Sequence, residues 1–415
     1  MKPTSLPRVN RILALLVLSL CINYIDRGVL SVSAPLISKD LALSPAQMGL
    51  LFSMFFWSYA AFQIVSGWLV DRFAVKWVYA GGFLIWSLAT AAVGLIYSFP
   101  ALLAARFVLG VGESVAYPAV SRIIVENFPE SRRGFANALV DAGTKIGPGL
   151  STLAGGLLIN FYGWRTVFLV LGAASLIWLL PWAAWMTAPA ASSPTSARQG
   201  PGLGEILRRR QAWGTCLGMF SLGYVWYFLL SWLPSYLVNE RGFSLSAMAV
   251  LGSIPFWAMA ASSLCSGYAS DQLIRRGCNP STVRKSFLVG GLLLCGAAMA
   301  PAALVRDAQL SVALLTAACV ALGLFTSNVW AVTQTLAGPL AAGKWTGIQN
   351  AIGNLGGVVS PLLTGWIVSV TGSFLLAFLA ATAVMLLGSI SYLVLVGEIR
   401  PLSWLQETQA GEVPA

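Results

Sequence analysis

The segment WTGIQNAIGNLGGVVSPLLTGWIVSVTGSFLLAFLAATAVMLLGSISYLVLVG, residues 345–397, contains 53 residues and no charge. A transmembrane helix needs about 20 apolar residues, so this segment is long enough for two helices. Further uncharged runs of membrane-spanning length precede it, at 41–70, 77–105, 211–239, 242–270 and 286–305. The sequence therefore predicts a protein that crosses a membrane many times.

The whole chain shares this scarcity of charge. Of its 415 residues, 25 are basic and 14 are acidic, which is 9%, against about 25% in soluble proteins. So few charges could not cover the surface of a soluble fold, and backbone amides in lipid must pair within helices. We therefore predict an all-α membrane protein. Breaks at charges and at Pro/Gly clusters give twelve spans, at 11–36, 45–70, 77–98, 100–125, 134–160, 164–188, 212–238, 245–270, 286–305, 309–335, 345–370 and 373–397.

The composition also argues against several kinds of chemistry. The chain has no histidine, which excludes Ser-His-Asp and Cys-His catalysis and imidazole metal sites. Its six cysteines form no CxxC motif, so we predict no disulfide and no metal cluster. We expect a protein that is not an enzyme and needs no cofactor, although carboxylate chemistry stays open. Any protons that it handles would have to be carried by carboxylates.

The basic residues indicate an orientation in the membrane. The N-terminus, the loops after even-numbered spans and the C-terminal tail hold 18 of them, and the opposite loops hold four. The positive-inside rule then predicts that both termini lie in the cytoplasm, and we expect the protein to lie in the inner (plasma) membrane. The net charge of +11 is explained in this way without nucleic acid. Asp26 and Arg27 interrupt the first apolar run, so we do not expect it to be a cleaved signal peptide.

An internal repeat divides the chain into two related halves. Gly67 and Asp71 close the second span, and Gly267 and Asp271 close the eighth, 200 residues later. Between the halves lies a segment of Ala, Ser, Pro, Gly and Arg, which is typical of a flexible linker. We predict two pseudo-symmetric six-helix bundles, with the N-terminal bundle at 1–188, a cytoplasmic linker at 189–211, and the C-terminal bundle with a short tail at 212–415.

Six charged residues lie inside predicted spans, all in the first half. Each costs at least about 2.5–3.5 kcal/mol in lipid, so each is a candidate functional residue. The alternative is a static salt bridge between helices. The periodicity places Arg106, Gly110, Glu113 and Tyr117 on one face of the fourth span, where Gly110 leaves room beside the arginine. It directs Asp26 and Arg27 about 100° apart. The six residues are Asp26, Arg27, Arg106, Glu113, Asp141 and Lys145.

Lys145 has two interpretations. It lies one helical turn after Asp141, an orientation in which the two side chains can neutralise each other. It could instead bind a carboxylate or phosphate of a substrate. The sequence leaves both possibilities open.

The segment Gly67-x-x-x-Asp71-Arg72-x-x-x-Lys76 resembles the signature of the major facilitator superfamily, with Ala74 and Val75 where Gly and Arg are usual. The resemblance implies a gate latch at this loop. Its duplicate at Asp271 favours a latch over a solvated loop. The expected gate residues are Gly67, Asp71, Arg72 and Asp271.

Two further motifs resemble the anion:cation symporter family, which includes bacterial galactonate, hexuronate and glucarate carriers and the animal sialin and vesicular glutamate carriers. The resemblance covers essentially the whole chain. It implies that Asp26 and Glu113 bind protons and that Arg27 and Arg106 govern coupling and attract the anion. It also implies a substrate cavity formed by Tyr24, Tyr59, Ser327, Trp330 and Asn350. The motifs are Asn23-Tyr24-Ile25-Asp26-Arg27 and Arg106-Phe107-x-Leu109-Gly110-x-Gly112-Glu113-x-x-x-Tyr117-Pro118.

Three polar side chains extend this set of candidates. Gln63 follows Tyr59 by one turn, and Asn354 follows Asn350 by one turn. Tyr224 belongs to an aromatic stripe in the seventh span. All three could contact a substrate, but amides also join helices within membranes, and aromatic stripes more often serve packing.

Taken together, these features predict a secondary transporter that imports an organic anion with protons by alternating access. The expected substrate is a sugar acid or a related carboxylate. The protein is expected to be a monomer in the bilayer. An exporter or antiporter is the second hypothesis, because Gly143-x-x-x-Gly147-Pro148 weakly resembles an antiporter signature. A membrane sensor that binds a ligand is the third.

Overall fold

The computed structural model describes residues 6–128, 130–186 and 201–404. Within these residues the secondary structure is helical and contains no strand. The helices are α1 (Leu6–Asp40), α2 (Pro45–Arg72), α3 (Val75–Val93), α4 (Phe99–Glu113), α5 (Ala116–Asn127), α6 (Glu130–Leu150), α7 (Gly156–Tyr162), α8 (Trp164–Ser175), α9 (Leu179–Trp185), α10 (Leu203–Leu207), α11 (Arg210–Asn239), α12 (Leu245–Arg275), α13 (Pro280–Leu304), α14 (Ala308–Thr371) and α15 (Leu375–Val394).

The predicted all-α membrane fold is confirmed. Among the described residues, ten helices are long and apolar enough to cross a membrane. They account for ten of the twelve predicted spans. The other two predicted spans, 77–98 and 134–160, correspond to α3 and to the segment from α6 to α7.

Side chains cap the first turns of α2 and α13. Ser44 and Gln47 form a reciprocal capping box at the start of α2, and Pro45 occupies its first turn. At the start of α13, the Asn279 side chain accepts hydrogen bonds from the backbone N–H groups of Ser281 and Thr282, and Pro280 is the first residue of the helix. Side chains therefore satisfy amides that the first helical turn leaves without a partner.

The helix α14 combines two predicted spans. Gly338 has φ +63° and ψ −179°, a conformation that side chains other than that of glycine rarely adopt. It separates the apolar segments Ala308–Gly338 and Leu340–Thr371. One glycine thus supplies the turn between the tenth and eleventh spans.

A proline modifies the end of α6. Pro148 lies inside this helix, where it cannot donate a backbone hydrogen bond. One π-helical turn, Ser151–Gly155, follows before α7 begins. The Ser151 hydroxyl donates to the Pro148 carbonyl oxygen at 3.0 Å. Proline and the wider turn explain the interruption of the fifth predicted span.

The chain forms two compact units. The first comprises the described residues within Met1–Ser192 together with Phe228–Trp257 and Pro361–Phe374. The second comprises the described residues within Ser193–Tyr227, Ala258–Ser360 and Leu375–Ala415. In the first unit α1 packs against α6, and α4 packs against both α2 and α3. In the second unit α13 packs against α15.

The two units are defined by contacts between residues, and some of their boundaries fall inside single helices. The predicted boundaries at 188 and 212 concern the repeat in the sequence and stay a prediction. Most of the predicted linker, residues 189–200, lies outside the described residues.

Candidate functional site

Four of the six predicted intramembrane charges lie together in the first unit. Asp26 and Arg27 come from α1, and Arg106 and Glu113 come from α4. Each is at most 5% exposed. We call these four residues the charge cluster. Its formal charges sum to zero, which lowers the cost of burying them but does not remove it.

An ion pair joins the two helices of the cluster. Arg27 Nε donates to Glu113 Oε2 at 2.7 Å, and both side chains are buried. The sequence placed Arg106 on the same helix face as Glu113, but the arginine that pairs with the carboxylate is Arg27. The pairing could not be read from either helix alone because it depends on how the folded chain arranges α1 relative to α4.

Aromatic rings surround the guanidinium of Arg27. Its Cζ lies 4.7 Å from the ring centroid of Tyr24, 4.6 Å from that of Phe55 and 5.0 Å from that of Tyr59. These distances are within the range of cation–π attraction. Tyr24 and Tyr59, which the resemblance assigned to the substrate cavity, therefore contact the arginine of the ion pair.

Arg106 shares one of these rings. Its Cζ lies 5.0 Å from the centroid of Phe55. The sequence analysis did not select Phe55, because it belongs to an apolar run of α2 and nothing in that run distinguishes it from a core residue. Its role depends on neighbours contributed by α1 and α4.

Asp26 differs from Glu113 in its surroundings. The hydroxyl of Thr90 on α3 lies beside its carboxylate, but within the described part of the chain neither group completes a hydrogen bond of good geometry. The side chain of Asn23, one turn earlier on α1, likewise completes no hydrogen bond of good geometry within these residues. Buried polar groups are normally hydrogen-bonded, so this polar patch in an apolar bundle points to function.

Tyr117 extends the cluster onto α5. Its hydroxyl lies 3.3 Å from the hydroxyl of Tyr24. The sequence placed Tyr117 on the face of Glu113, but the helix is interrupted between them, because α4 ends at Glu113 and α5 begins at Ala116.

Lys145 and Asp141 form the i,i+4 ion pair that was one of the two interpretations of Lys145. Lys145 is 14% exposed and Asp141 is 61% exposed. The lysine is thus the more buried partner. The pair is a local contact along α6.

Two candidates of the second unit, Ser327 and Asn354, take part in contacts between helices. Asn354 accepts a hydrogen bond from the Tyr227 hydroxyl at 3.0 Å and donates to the Asn350 carbonyl oxygen at 3.0 Å. Ser327 accepts from the Ser266 hydroxyl at 3.0 Å. Asn354 therefore joins helices, as the alternative interpretation of the amides expected.

The remaining candidates differ in exposure. Tyr224 is fully buried, with its hydroxyl unpaired within the described residues. Trp330 and Asn350 in the second unit are half-buried, as is Gln63 in the first. Half-buried side chains retain a surface that a small molecule could reach.

The predicted gate residues lie at helix ends. Asp71, Arg72 and Asp271 are exposed, and Gly67 is half-buried. Within the described residues no ion pair joins Asp71 to a basic side chain. The helix end is instead contacted by Arg122, whose guanidinium donates to the Val70 carbonyl oxygen and pairs with Glu126 at 2.6 Å.

Arg122 is one of the 18 basic residues that the sequence assigns to the cytoplasmic side. A cation near the carboxyl end of a helix is favourable because of the helix dipole. That general rule was the only sequence signal for its position.

A bundle of apolar helices with a neutral group of buried charges defines a multi-pass membrane protein. Residues 16–338 match the family profile described as Major Facilitator Superfamily, and the chain belongs to this superfamily.

Similar proteins support this membership. The chain is 33% identical to a probable sulfoacetate transporter of Cupriavidus necator, over 97% of each chain. It is 32% identical to a hexuronate transporter of Bacillus subtilis, over 89% of this chain and 90% of the relative. It is 30% identical to a probable galactarate/D-glucarate transporter of the same organism, over 94% and 92%.

A solved structure shares the fold. A bacterial homolog of the human lysosomal transporter Spinster, in an inward-facing and occupied conformation, aligns with a TM-score of 0.81. The alignment covers 94% of this chain and 97% of that one at 21% sequence identity. This likeness concerns the fold alone.

Proposed function

We propose that this protein is a secondary transporter that imports an organic anion together with protons by alternating access. The observation that carries this proposal is the buried Arg27–Glu113 ion pair at 2.7 Å, with Asp26 and Arg106 in the same cluster. Such an arrangement combines cations that can attract an anion with carboxylates that can accept protons.

The names of the relatives support the substrate class. They are named as transporters of sulfoacetate, hexuronate and galactarate or D-glucarate, which are all organic acids. We propose that this chain transports a sugar acid or a related small carboxylate or sulfonate. Arg27, Arg106 and Lys145 would offset the cost of removing the anion from water.

Proton binding supplies the coupling in this mechanism. Protonation of Glu113 removes the negative charge that Arg27 now faces, and Arg27 then becomes available to an anion. Asp26 is the second proposed proton site. Each pH unit across the membrane contributes about 1.36 kcal/mol per proton. Membrane potential adds about 2.3 kcal/mol per net charge per 100 mV.

The rest of the proposal follows the sequence predictions. The protein would be a monomer in the inner membrane with both termini in the cytoplasm. Gly67, Asp71, Arg72 and Asp271 would form its gate. Tyr24, Tyr59, Gln63, Tyr224, Ser327, Trp330, Asn350 and Asn354 are the proposed substrate-binding residues.

The test is uptake by purified protein in liposomes. Radiolabelled sulfoacetate, D-glucuronate, D-galacturonate, D-galactonate, galactarate and D-glucarate would each be offered with the outside more acidic, with equal pH, and with the outside more alkaline. We expect accumulation of at least one acid only when the outside is more acidic. Right-side-out membrane vesicles would then establish the direction in the native orientation.

Other outcomes identify the rival hypotheses. Accumulation driven by the opposite pH gradient would favour an exporter or antiporter. Binding of an acid without movement across the membrane would favour a sensor. Movement that is insensitive to both the pH gradient and an uncoupler would contradict proton coupling.

A further inference from the structure

An uncharged residue lies at the centre of the charge cluster. Phe55 is fully buried within α2. Its ring centroid lies 4.6 Å from Cζ of Arg27 and 5.0 Å from Cζ of Arg106. One apolar side chain therefore contacts both cations of the cluster.

This placement has an electrostatic consequence. Two guanidinium groups repel each other, and the low dielectric of a protein interior strengthens that repulsion. The face of an aromatic ring carries partial negative charge and attracts a cation. An aliphatic side chain of the same size would fill the space without supplying this attraction.

The position of the ring is fixed by its neighbours. Phe55 stacks on Tyr59 with centroids 5.5 Å apart and meets Phe56 edge-on at 4.9 Å. The α4 backbone at Gly110 approaches the Phe55 carbonyl oxygen so closely that a Cβ there would lie 2.5 Å from it. Phe55 thus belongs to a tightly packed helix crossing, as a side chain that orients other groups requires.

We propose that Phe55 is a positioning residue that keeps Arg27 and Arg106 at the anion site when Glu113 takes up a proton. This inference rests on the proposed function. With Glu113 ionised, the ion pair fixes Arg27. With Glu113 protonated, the rings of Tyr24, Phe55 and Tyr59 continue to hold the guanidinium. Of these three rings, Phe55 is the one that also contacts Arg106.

The test changes the charge of the ring while keeping its shape. Phe55 is replaced by mono-, di- and trifluorophenylalanine, because each fluorine withdraws negative charge from the ring face. Uptake of sulfoacetate, D-glucuronate and D-glucarate is measured in liposomes for each protein. We expect KM to rise stepwise, by about tenfold over the series, while kcat changes less than about twofold. A KM that does not depend on the number of fluorines would overturn the proposal.

A matched control separates charge from packing. Phe83 on α3 is also fully buried and stacks on Trp178 with centroids 4.2 Å apart. The same fluorinated series at Phe83 is expected to leave KM unchanged. An equal rise in KM at both positions would overturn the proposal, because it would assign the effect to general packing.

A second measurement does not depend on transport. Melting temperatures in detergent are compared for wild type, Phe55→Leu, Arg106→Met and the double variant. We expect the double variant to lose less than the sum of the single losses, because the contact is already absent in each single variant. Additive losses would overturn the proposal. Wild type that moves none of the three acids would refute the proposed function for them, and the melting comparison would still decide on Phe55.

Discussion

At the scale of single residues, the Arg27–Glu113 ion pair is a poor device for stabilising a fold. The cost of removing two charges from water largely offsets their attraction, and apolar residues of similar volume often stabilise as well or better. Both side chains are nevertheless buried, with Nε and Oε2 only 2.7 Å apart. Function is the better reason for this pair.

Glu113→Gln tests the proton site directly. Glutamine keeps the shape and can still accept a hydrogen bond from Arg27, but it does not take up a proton at neutral pH. We expect accumulation driven by a pH gradient to fall at least about tenfold, while exchange of labelled for unlabelled substrate at equal pH persists. Both are measured by uptake in liposomes.

Glu126→Gln is the matched control for this variant. Glu126 also pairs with an arginine, Arg122, at 2.6 Å, but both side chains are about one-fifth exposed. We expect near-normal accumulation from this variant. Full pH-driven accumulation by Glu113→Gln would remove Glu113 from the proposed mechanism.

Single substitutions distinguish the role of Lys145 from that of Asp141. Because Lys145 is the more buried member of the pair, we expect Lys145→Gln to raise KM several-fold and Asp141→Asn to leave KM within about twofold. The loss of an exposed ion pair alone is worth only about 0–1 kcal/mol. Equal increases in KM for the two variants would instead indicate that Lys145 acts by pairing with Asp141 on α6 and does not contact the substrate.

At the scale of helices, close crossings depend on residues without side chains. Gly110 on α4 faces the α2 backbone at Phe55 and the Ser58 hydroxyl. The sequence suggested that Gly110 makes room for the neighbouring arginine. In the structure it allows α4 to approach α2, and this approach places Arg106 against the ring of Phe55.

Gly110→Leu is therefore expected to lower stability by about 1–3 kcal/mol, because the added atoms overlap the backbone of α2. The melting temperature in detergent measures this loss. Gly81→Leu on α3 is the control, since a Cβ at Gly81 meets no atom within 4 Å. Equal losses at the two glycines would contradict the importance of this crossing.

At the scale of the whole molecule, the first compact unit includes parts of helices from the second half of the sequence. In it Gly49 on α2 lies against Gly365 and the Pro361 carbonyl oxygen on α14. Nearby, the Trp232 indole donates to the Pro361 carbonyl oxygen at 3.2 Å, and its ring meets Phe52 edge-on at 5.4 Å. These contacts join helices that lie far apart in the sequence.

Gly49→Val is expected to prevent this close contact, because a Cβ at Gly49 would lie 2.5 Å from the Pro361 carbonyl oxygen. A carrier that must form this contact in each cycle should lose at least about 90% of its uptake rate, at normal membrane abundance. A second readout uses Phe52→Cys in a protein whose native cysteines have been replaced. With Gly49→Val added, this cysteine should react faster with a membrane-impermeant thiol reagent than it does when Gly49 is kept. Unchanged uptake and unchanged labelling would show that the contact is dispensable.

Much of the architecture could be predicted because membranes restrict the possibilities. Apolar length, scarce charge and the requirement for internal hydrogen bonds gave the helical class and the approximate spans. The break at Gly338 and the π-helical turn after Pro148 were harder to predict, since they depend on local backbone geometry within long apolar runs.

The sequence by itself determined that buried charges mark the first half of this chain. Charges are costly in lipid wherever the helices lie, so Asp26, Arg27, Arg106 and Glu113 could be selected before any packing was known. Tertiary structure alone decided that Arg27, and not Arg106, pairs with Glu113, and that Phe55 contacts both arginines. Periodicity gives the direction of a side chain from its own helix, whereas its partner depends on which helices pack together and at what distance.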